Sequence, residues 1–240
     1  MARVAVVTGG TRGIGAAISE KLHQAGYKVA ATYHGNDKAA ADFTARTGVA
    51  HYKFDVGDYA ACQSGLAQIT TELGAVDVLV NNAGITRDAF LHKMTQEQWN
   101  DVIHTNLNSV FNMSRLVIEG MRDRKFGRII SISSINGQAG QVGQTNYAAA
   151  KAAIIGFTKA LALESAAKGV TVNAIAPGYI DTEMVRAVPP EVLEKIVAKI
   201  PVRHLGTVDD IARTVLFLAA DEATFTTGAT FSVNGGQYLA

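Results

Sequence analysis

One cysteine, Cys62, among 240 residues leaves no partner for an internal disulfide. Prolines number only 4, and no Pro/Ser-rich stretch or block of like charge marks a linker, so residues 1–240 read as a single domain. Neither sign of charge is in excess. The 22 Lys and Arg against 21 Asp and Glu leave +1, with no basic surplus to advertise nucleic acid or an anionic membrane as partner. Although 48% of the residues are hydrophobic, no charge-poor apolar run approaches the roughly 20 residues needed to span a bilayer. The opening residues, Met-Ala-Arg-Val-Ala-Val-Val, lack the long apolar core of a secretory signal, and the expected compartment is the cytoplasm. What is plentiful is glycine, 23 residues, which with so few prolines suits tight strand-to-helix turns and a small ligand as partner.

Short β-branched runs at 3–8, 28–33, 51–54, 76–80, 127–133, 170–175 and 230–233 predict seven strands. Between them, 14–25, 60–73, 96–122, 147–167 and 208–218 carry apolar residues at helical spacing, with Asp58 a candidate cap for the second. Strand and helix alternating in this way predict an α/β fold: a doubly wound, seven-stranded parallel sheet of Rossmann type with helices on both faces. Ligands then bind at the carboxyl ends of the strands. Residues 8–15, 81–84, 133–134 and 177–182 all fall at such ends.

The segment T-G-G-T-R-G-I-G at 8–15 follows the first strand and opens the first helix. Gly9, Gly13 and Gly15 allow backbone N–H groups and a helix N-terminus to approach a pyrophosphate, and Thr11 and Ile14 complete that loop. An ordinary glycine turn is the alternative. An acidic residue ending the second strand would grip the ribose of NAD and repel the extra phosphate of NADP. Here Tyr33 is followed by His34-Gly35-Asn36, with no carboxylate until Asp37, while Arg12 can offer positive charge to a 2′-phosphate and His34 and Lys38 can assist. NADPH/NADP+ is therefore the expected cofactor. Asp55 and Val56 are placed to frame the adenine, and Asn82, Ala83 and Gly84 to run beside the cofactor; a cap and a tight turn are their plain alternatives.

Tyr147 and Lys151, in N-Y-A-A-A-K, stand four residues apart and so share one helix face. An ammonium about 4 Å from a phenol favours the phenolate, which would bring a group of pKa about 10 towards neutrality and make it a usable acid. A half-buried ring beside a solvated lysine stem has the same spacing.

Taken together, T-G-x-x-x-G-x-G, N-N-A-G at 81–84, N-x-x-S-x-F from Asn106, Ser134, Y-x-x-x-K and Pro177-Gly178 resemble the short-chain dehydrogenase/reductase family over essentially the whole chain. The resemblance implies a catalytic tetrad of Asn106, Ser134, Tyr147 and Lys151, with Ser133 structural. In that reading Tyr147 gives the proton, Ser134 steadies the carbonyl oxygen, Lys151 holds the nicotinamide ribose and biases the tyrosine, and Asn106 positions a water. Pro177, Gly178, Ile180 and Thr182 would border the nicotinamide, and no metal is implied.

Within the family the chain is most similar to the branch that reduces acetoacetyl-CoA with NADPH to (R)-3-hydroxybutyryl-CoA for polyhydroxybutyrate synthesis. The stretches at 84–90, 136–147, 169–173 and 177–185 carry that likeness. They imply an acyl-CoA thioester substrate touching Asp88, Gln141, Val142, Gly143, Gln144 and Tyr179 besides Ser134 and Tyr147. The rival branch reduces 3-oxoacyl groups on acyl carrier protein, an acidic partner for which Lys125 and Lys168 would supply basic contacts. A nucleotide sensor without turnover is a third reading, against which the intact Tyr147 and Lys151 argue. The family also implies a homotetramer, paired through the last edge strand and the long helices. Residues 181–201 follow the strand on the nicotinamide side and contain the helix breakers Pro189 and Pro190, so a lid is expected there, with an ordinary surface helix the alternative.

Overall fold

Successive strand residues feed opposite faces of a single sheet, because side chains alternate along extended backbone. The computed structural model describes residues 2–186 and 188–239. Its strands are β1 (Val4–Val7), β2 (Lys28–Tyr33), β3 (Ala50–Lys53), β4 (Val78–Asn81), β5 (Gly127–Ile132), β6 (Val170–Pro177) and β7 (Thr230–Val233). They run parallel in the order β3-β2-β1-β4-β5-β6-β7, as the alternating pattern predicts. The order reverses between β1 and β4, so the chain leaves these neighbours in opposite directions and opens a crevice at their carboxyl ends.

On one face Ala5, Val7, Ala31, Val80 and Ile130 form a core with helices α1 (Gly13–Gln24) and α10 (Val208–Ala219), through Ile18, Leu22, Ile211, Val215 and Leu218. Phe43 of α2 (Asp37–Thr47) joins the same core. On the other face Val6, Ala30, Leu79 and Ile129 meet α3 (Tyr59–Leu73) and the helices of the segment beyond β4. Each central strand is buried on both sides, which accounts for its unbroken apolar run.

Two departures from the periodicity are informative. The expected helix 96–122 is three pieces: α4 (Gln96–Ile103), a π-helical turn His104–Asn108 and α5 (Ser109–Asp123). The hydropathy pattern passes through the turn unmarked, since the extra residue shifts register only locally. Helix α2 is also absent from the sequence reading. Its only buried residues are Ala40 and Phe43, and what defines it is the Asn36 cap on Ala39 N–H (2.9 Å) and the left-handed Gly48 at its end.

Helices α6 (Ile135–Ala139) and α7 (Thr145–Ser165) follow β5, and α8 (Glu183–Arg186) and α9 (Pro190–Lys199) follow β6. Pro189 and Pro190, read as breakers, instead open α9, with Pro190 at its first position where a missing N–H costs nothing. Ala187, within the expected lid, lies outside the described residues. Asp58 caps α3 as expected, accepting from Ala60 and Ala61 N–H at 2.8 and 3.1 Å. No described helix is long and apolar enough to cross a membrane.

The amino edge of the sheet is closed by Arg128 of β5, 1% exposed. Its guanidinium donates to Gly127 O (2.9 Å), Ala220 O (3.1 Å) and Asp221 O (3.0 Å), and lies 4.4 Å from the Phe126 ring. Arg128→Ala would remove the side-chain donor from all three and leave a void, with Ala220 O keeping only the Ala223 N–H at 3.2 Å. We expect it to lower the unfolding free energy by roughly 3–5 kcal/mol, measured by urea denaturation.

Candidate active site

The cleft begins with a staple between β1 and β4. The Thr8 hydroxyl accepts from the backbone N–H of Asn82 (2.9 Å) and Ala83 (3.0 Å), while the Asn82 amide donates to Thr8 O (2.9 Å) and Gly9 O (3.2 Å). This holds the glycine loop against the 81–84 turn. Gly9 adopts φ +61°, and a Cβ on Gly15 would strike Gly9 O and the Asn82 amide, so neither position has room for another residue. Space around Gly13 is open, and no side chain caps the start of α1, whose N-cap is Arg12. Exposed N–H groups at the head of a twelve-residue helix fit a pyrophosphate, the use expected of this loop.

Beyond the loop lies a hollow of about 430 Å³ bordered by Gly9, Arg12, Tyr33, His34, Asp55 and Val56. Arg12 is exposed. Asp55 is neither free nor a helix cap: its carboxylate accepts Gly57 N–H at 2.8 Å and stands 3.9 Å from His34 Nδ1. Thr11 is buried under the loop.

Gly84 and Ile85 border both this hollow and a second cavity of about 270 Å³, making one continuous cleft. There the structure brings together Ser134, Tyr147 and Lys151 with Ile14, Asn82, Pro177, Gly178, Tyr179, Ile180 and Thr182. Each comes from a strand end or the helix after it. Ser134 is the N-cap of α6, its hydroxyl accepting Asn136 N–H at 3.1 Å, and its side chain lies near enough to the Tyr147 phenol to oppose the rise in its pKa. Ser133 is structural, donating to Lys151 O at 2.7 Å and so pinning α7 to β5.

Lys151 is 3% exposed, and its ammonium donates to Ile132 O at 2.8 Å. Burial pushes its pKa down to about 8. The nitrogen sits 5.6 Å from the Tyr147 ring centroid. The expected lowering of the tyrosine does not occur: burial raises the phenol above its ordinary value, outweighing the Ser134 side chain, and Asp88 adds to the rise. Tyr147 is thereby kept protonated, the form that can donate.

Asn106 lies in the π-helical turn, is fully buried and does not border the cavity itself. Its amide accepts Ile85 N–H (2.8 Å) and donates to Ile85 O (2.9 Å), pairing with that backbone like a strand. Among the expected substrate contacts, Gln144 and Tyr179 border the cavity, whereas Asp88, Gln141, Val142 and Gly143 do not. Asp88 is taken up by the Gln144 amide at 2.8 Å, and Gln144 in turn accepts from the Asn136 amide at 2.9 Å. Val142 is 76% exposed at the loop tip.

Several residues in and behind the site escaped the sequence reading, Thr86, Ile132, Ile135 and Val185 of its wall among them. Ile85 and Asn136 line it, and buried Asn146 fixes the start of α7 by donating to Arg87 O and Gln98 O at 3.0 and 3.1 Å. Asn146 stands beside Tyr147 in the same motif, which was its available signal. Lys125 and Lys168 precede β5 and β6, at the opposite end of the strands from the cleft.

Residues 9–237 match the family model described as Enoyl-(Acyl carrier protein) reductase. A protein of Shinella zoogloeoides named acetoacetyl-CoA reductase is 66% identical over 240 residues, covering 100% of both chains. One of the same name from Rhizobium meliloti (strain 1021) is 63% identical, again covering 100% of both. The 3-oxoacyl-[acyl-carrier-protein] reductase FabG of Escherichia coli (strain K12) is 48% identical, covering 99% of this chain and 98% of its own.

Because Lys151 binds a proton less readily when folded than unfolded, stability rises with pH from about 8 to about 10.5, as the unfolded chain alone holds that proton. Lys151→Met should therefore be more stable than the parent near neutral pH by roughly 2–3 kcal/mol, with the difference closing towards about pH 10.5. Urea unfolding at the two pH values measures it.

Proposed function

The chain belongs to the short-chain dehydrogenase/reductase family, and from that premise we propose that it reduces acetoacetyl-CoA with NADPH to (R)-3-hydroxybutyryl-CoA, supplying polyhydroxybutyrate synthesis. The family makes it an oxidoreductase acting between a ketone and an alcohol with a nicotinamide cofactor. The observation that carries the reading is the convergence of Ser134, Tyr147 and buried Lys151 at the closed end of a cleft that begins in a phosphate-binding loop. The names of the relatives at 66% and 63% identity support the CoA thioester.

The residues present fit the cofactor. Gly9, Gly13, Gly15 and the head of α1 would hold the pyrophosphate; Arg12 and His34 the 2′-phosphate side; Asp55 and Val56 the adenine; Pro177, Gly178, Ile180 and Thr182 the nicotinamide. When bound, NADPH supplies a hydride to the ketone carbon. Tyr147 donates its phenolic proton to the ketone oxygen, and both electrons of the C=O π bond end on that oxygen as the C–H bond forms. Ser134 assists with its hydroxyl proton, which remains available because Asn136 N–H uses only a lone pair. Lys151 has two N–H donors beyond the one given to Ile132 O, and these suit ribose hydroxyls. Asn106 positions the Ile85 wall of the cavity. Tyr179 and Gln144, which border the same cavity, would meet the acyl thioester.

A carrier-protein thioester is favoured by the 48% identical relative's name. Against it, Lys125 and Lys168 do not border their own chain's cleft. We further propose a homotetramer, since Phe111 (52%) and Leu163 (86%) on α5 and α7, and Phe217 (55%) and Phe225 (103%) around α10, are exposed apolar side chains of a kind that association covers.

Tyr147→Phe is expected to lower kcat by roughly 10²- to 10⁴-fold while the NADPH dissociation constant, read by fluorescence titration, changes little. Retention of most turnover would remove Tyr147 as the acid. For the unmodified chain, kcat/KM should be higher for acetoacetyl-CoA than for acetoacetyl-carrier-protein, and higher with NADPH than with NADH; the reverse order would favour the carrier-protein reading. Light scattering should return four times the 25.3 kDa chain mass.

A further inference from the structure

A cluster of charge beside the adenosine side of the cleft takes no part in the roles above. Asp37, in the first turn of α2, receives the Tyr33 hydroxyl at 3.0 Å, and Lys53 Nζ lies 2.8 Å from one of its oxygens and 2.9 Å from the other. Tyr33 and Lys53 are register partners across β2 and β3, so their side chains rise on the same face at the strand ends. Tyr33 borders the 430 Å³ hollow together with Arg12 and His34. Lys53 comes directly before Phe54, Asp55 and Val56, which border it too. Lys53, with help from the Tyr33 hydroxyl, holds the Asp37 carboxyl below its usual range.

The other charges around the hollow are mostly spoken for. Asp55 faces His34 at 3.9 Å, and Arg87 pairs with Asp101 at 3.3 Å. Lys38 is exposed beside Asp37. Arg12 makes no ion pair among the described residues. Asp37 and Lys53 do not border the hollow themselves; Asp37 is joined to it through the hydroxyl of Tyr33, and its carboxylate is already paired with a cation from the adjacent strand.

We infer that Lys53 is a cofactor-specificity residue: by cancelling the Asp37 carboxylate it lets the Arg12 side of the hollow accept a 2′-phosphate. The inference rests on the NADPH reading above. It explains how the chain accommodates an acidic residue four positions beyond the end of β2, one hydrogen bond from the tyrosine that ends that strand and borders the hollow. Because both charges are solvent-exposed, the effect acts through space and is sensitive to ionic strength.

The test is calorimetric titration with adenosine 2′,5′-bisphosphate and with adenosine 5′-monophosphate, which needs no turnover. Lys53→Met should weaken the bisphosphate by roughly three- to tenfold at low salt and leave the monophosphate within about twofold. Lys53→Arg should retain the parent's preference, and Asp37→Asn added to Lys53→Met should restore it. High salt should shrink the difference. Equal weakening of both nucleotides, no weakening of either, or no recovery in the double variant would each overturn the inference. A parent chain that binds the two nucleotides alike refutes the NADPH reading itself; a parent that discriminates while Lys53→Met does so equally refutes Lys53 alone.

Discussion

The cleft depends on the hydrogen bonds that tie the end of β1 to the end of β4. Thr8 accepts twice from Asn82, at its hydroxyl from the backbone N–H and at its carbonyl from the side-chain amide, and through these bonds the glycine loop, the head of α1 and the 81–84 turn become one surface. Parallel strands splay at a point of topological reversal, so this junction is where a crevice opens and also where it most needs bracing. Small residues then make the bracing possible. The Asn82 amide occupies the space that a side chain at Gly15 would fill, and Gly9 turns with a φ open to few others.

At the far end of the same cleft the arrangement works against stability. Lys151 is buried with a single carbonyl as partner, and its lowered pKa measures how poorly the folded chain solvates that charge. A buried, under-satisfied ammonium suits a site in which ligand hydroxyls complete the shell. Tyr147 shows the matching effect in a neutral group: burial holds the proton on the phenol, so it stands ready as a donor. In both groups exclusion of water is the largest cause of the shift. Ser133 and Asn146 do the positioning, one binding the backbone at Lys151 and the other the backbone before α4 and within it.

Much of this was legible in the residues. Alternation of short β-branched runs with amphipathic ones led to seven parallel strands, and strand-end placement located the loop at 8–15, Ser134 and Pro177. Asp58 declared itself as a cap. Where the reading failed, the missing information was geometric. The π-helical turn at Asn106 leaves no mark in hydropathy, since one extra residue alters the phase only locally. Within the Gln-rich loop 141–144 Gln144 borders the cavity, held between Asp88 and Asn136, and such an anchor distant in the chain has no mark in the loop's own residues. Pro189 and Pro190 carried two opposite meanings, breaker or helix start, between which local sequence does not choose.

By itself the sequence determined the fold class, the order of elements and which side chains stand at the carboxyl ends of strands, because strand and helix periods and glycine-dependent turns are local properties. Only the tertiary structure decided what each polar group is bonded to. It turned Asn106 towards Ile85, placed Lys151 on the Ile132 carbonyl, left the Tyr147 phenol protonated and paired Asp37 with Lys53 from the neighbouring strand. Those outcomes depend on burial and on partners distant in the chain, and spacing along a single segment carries neither.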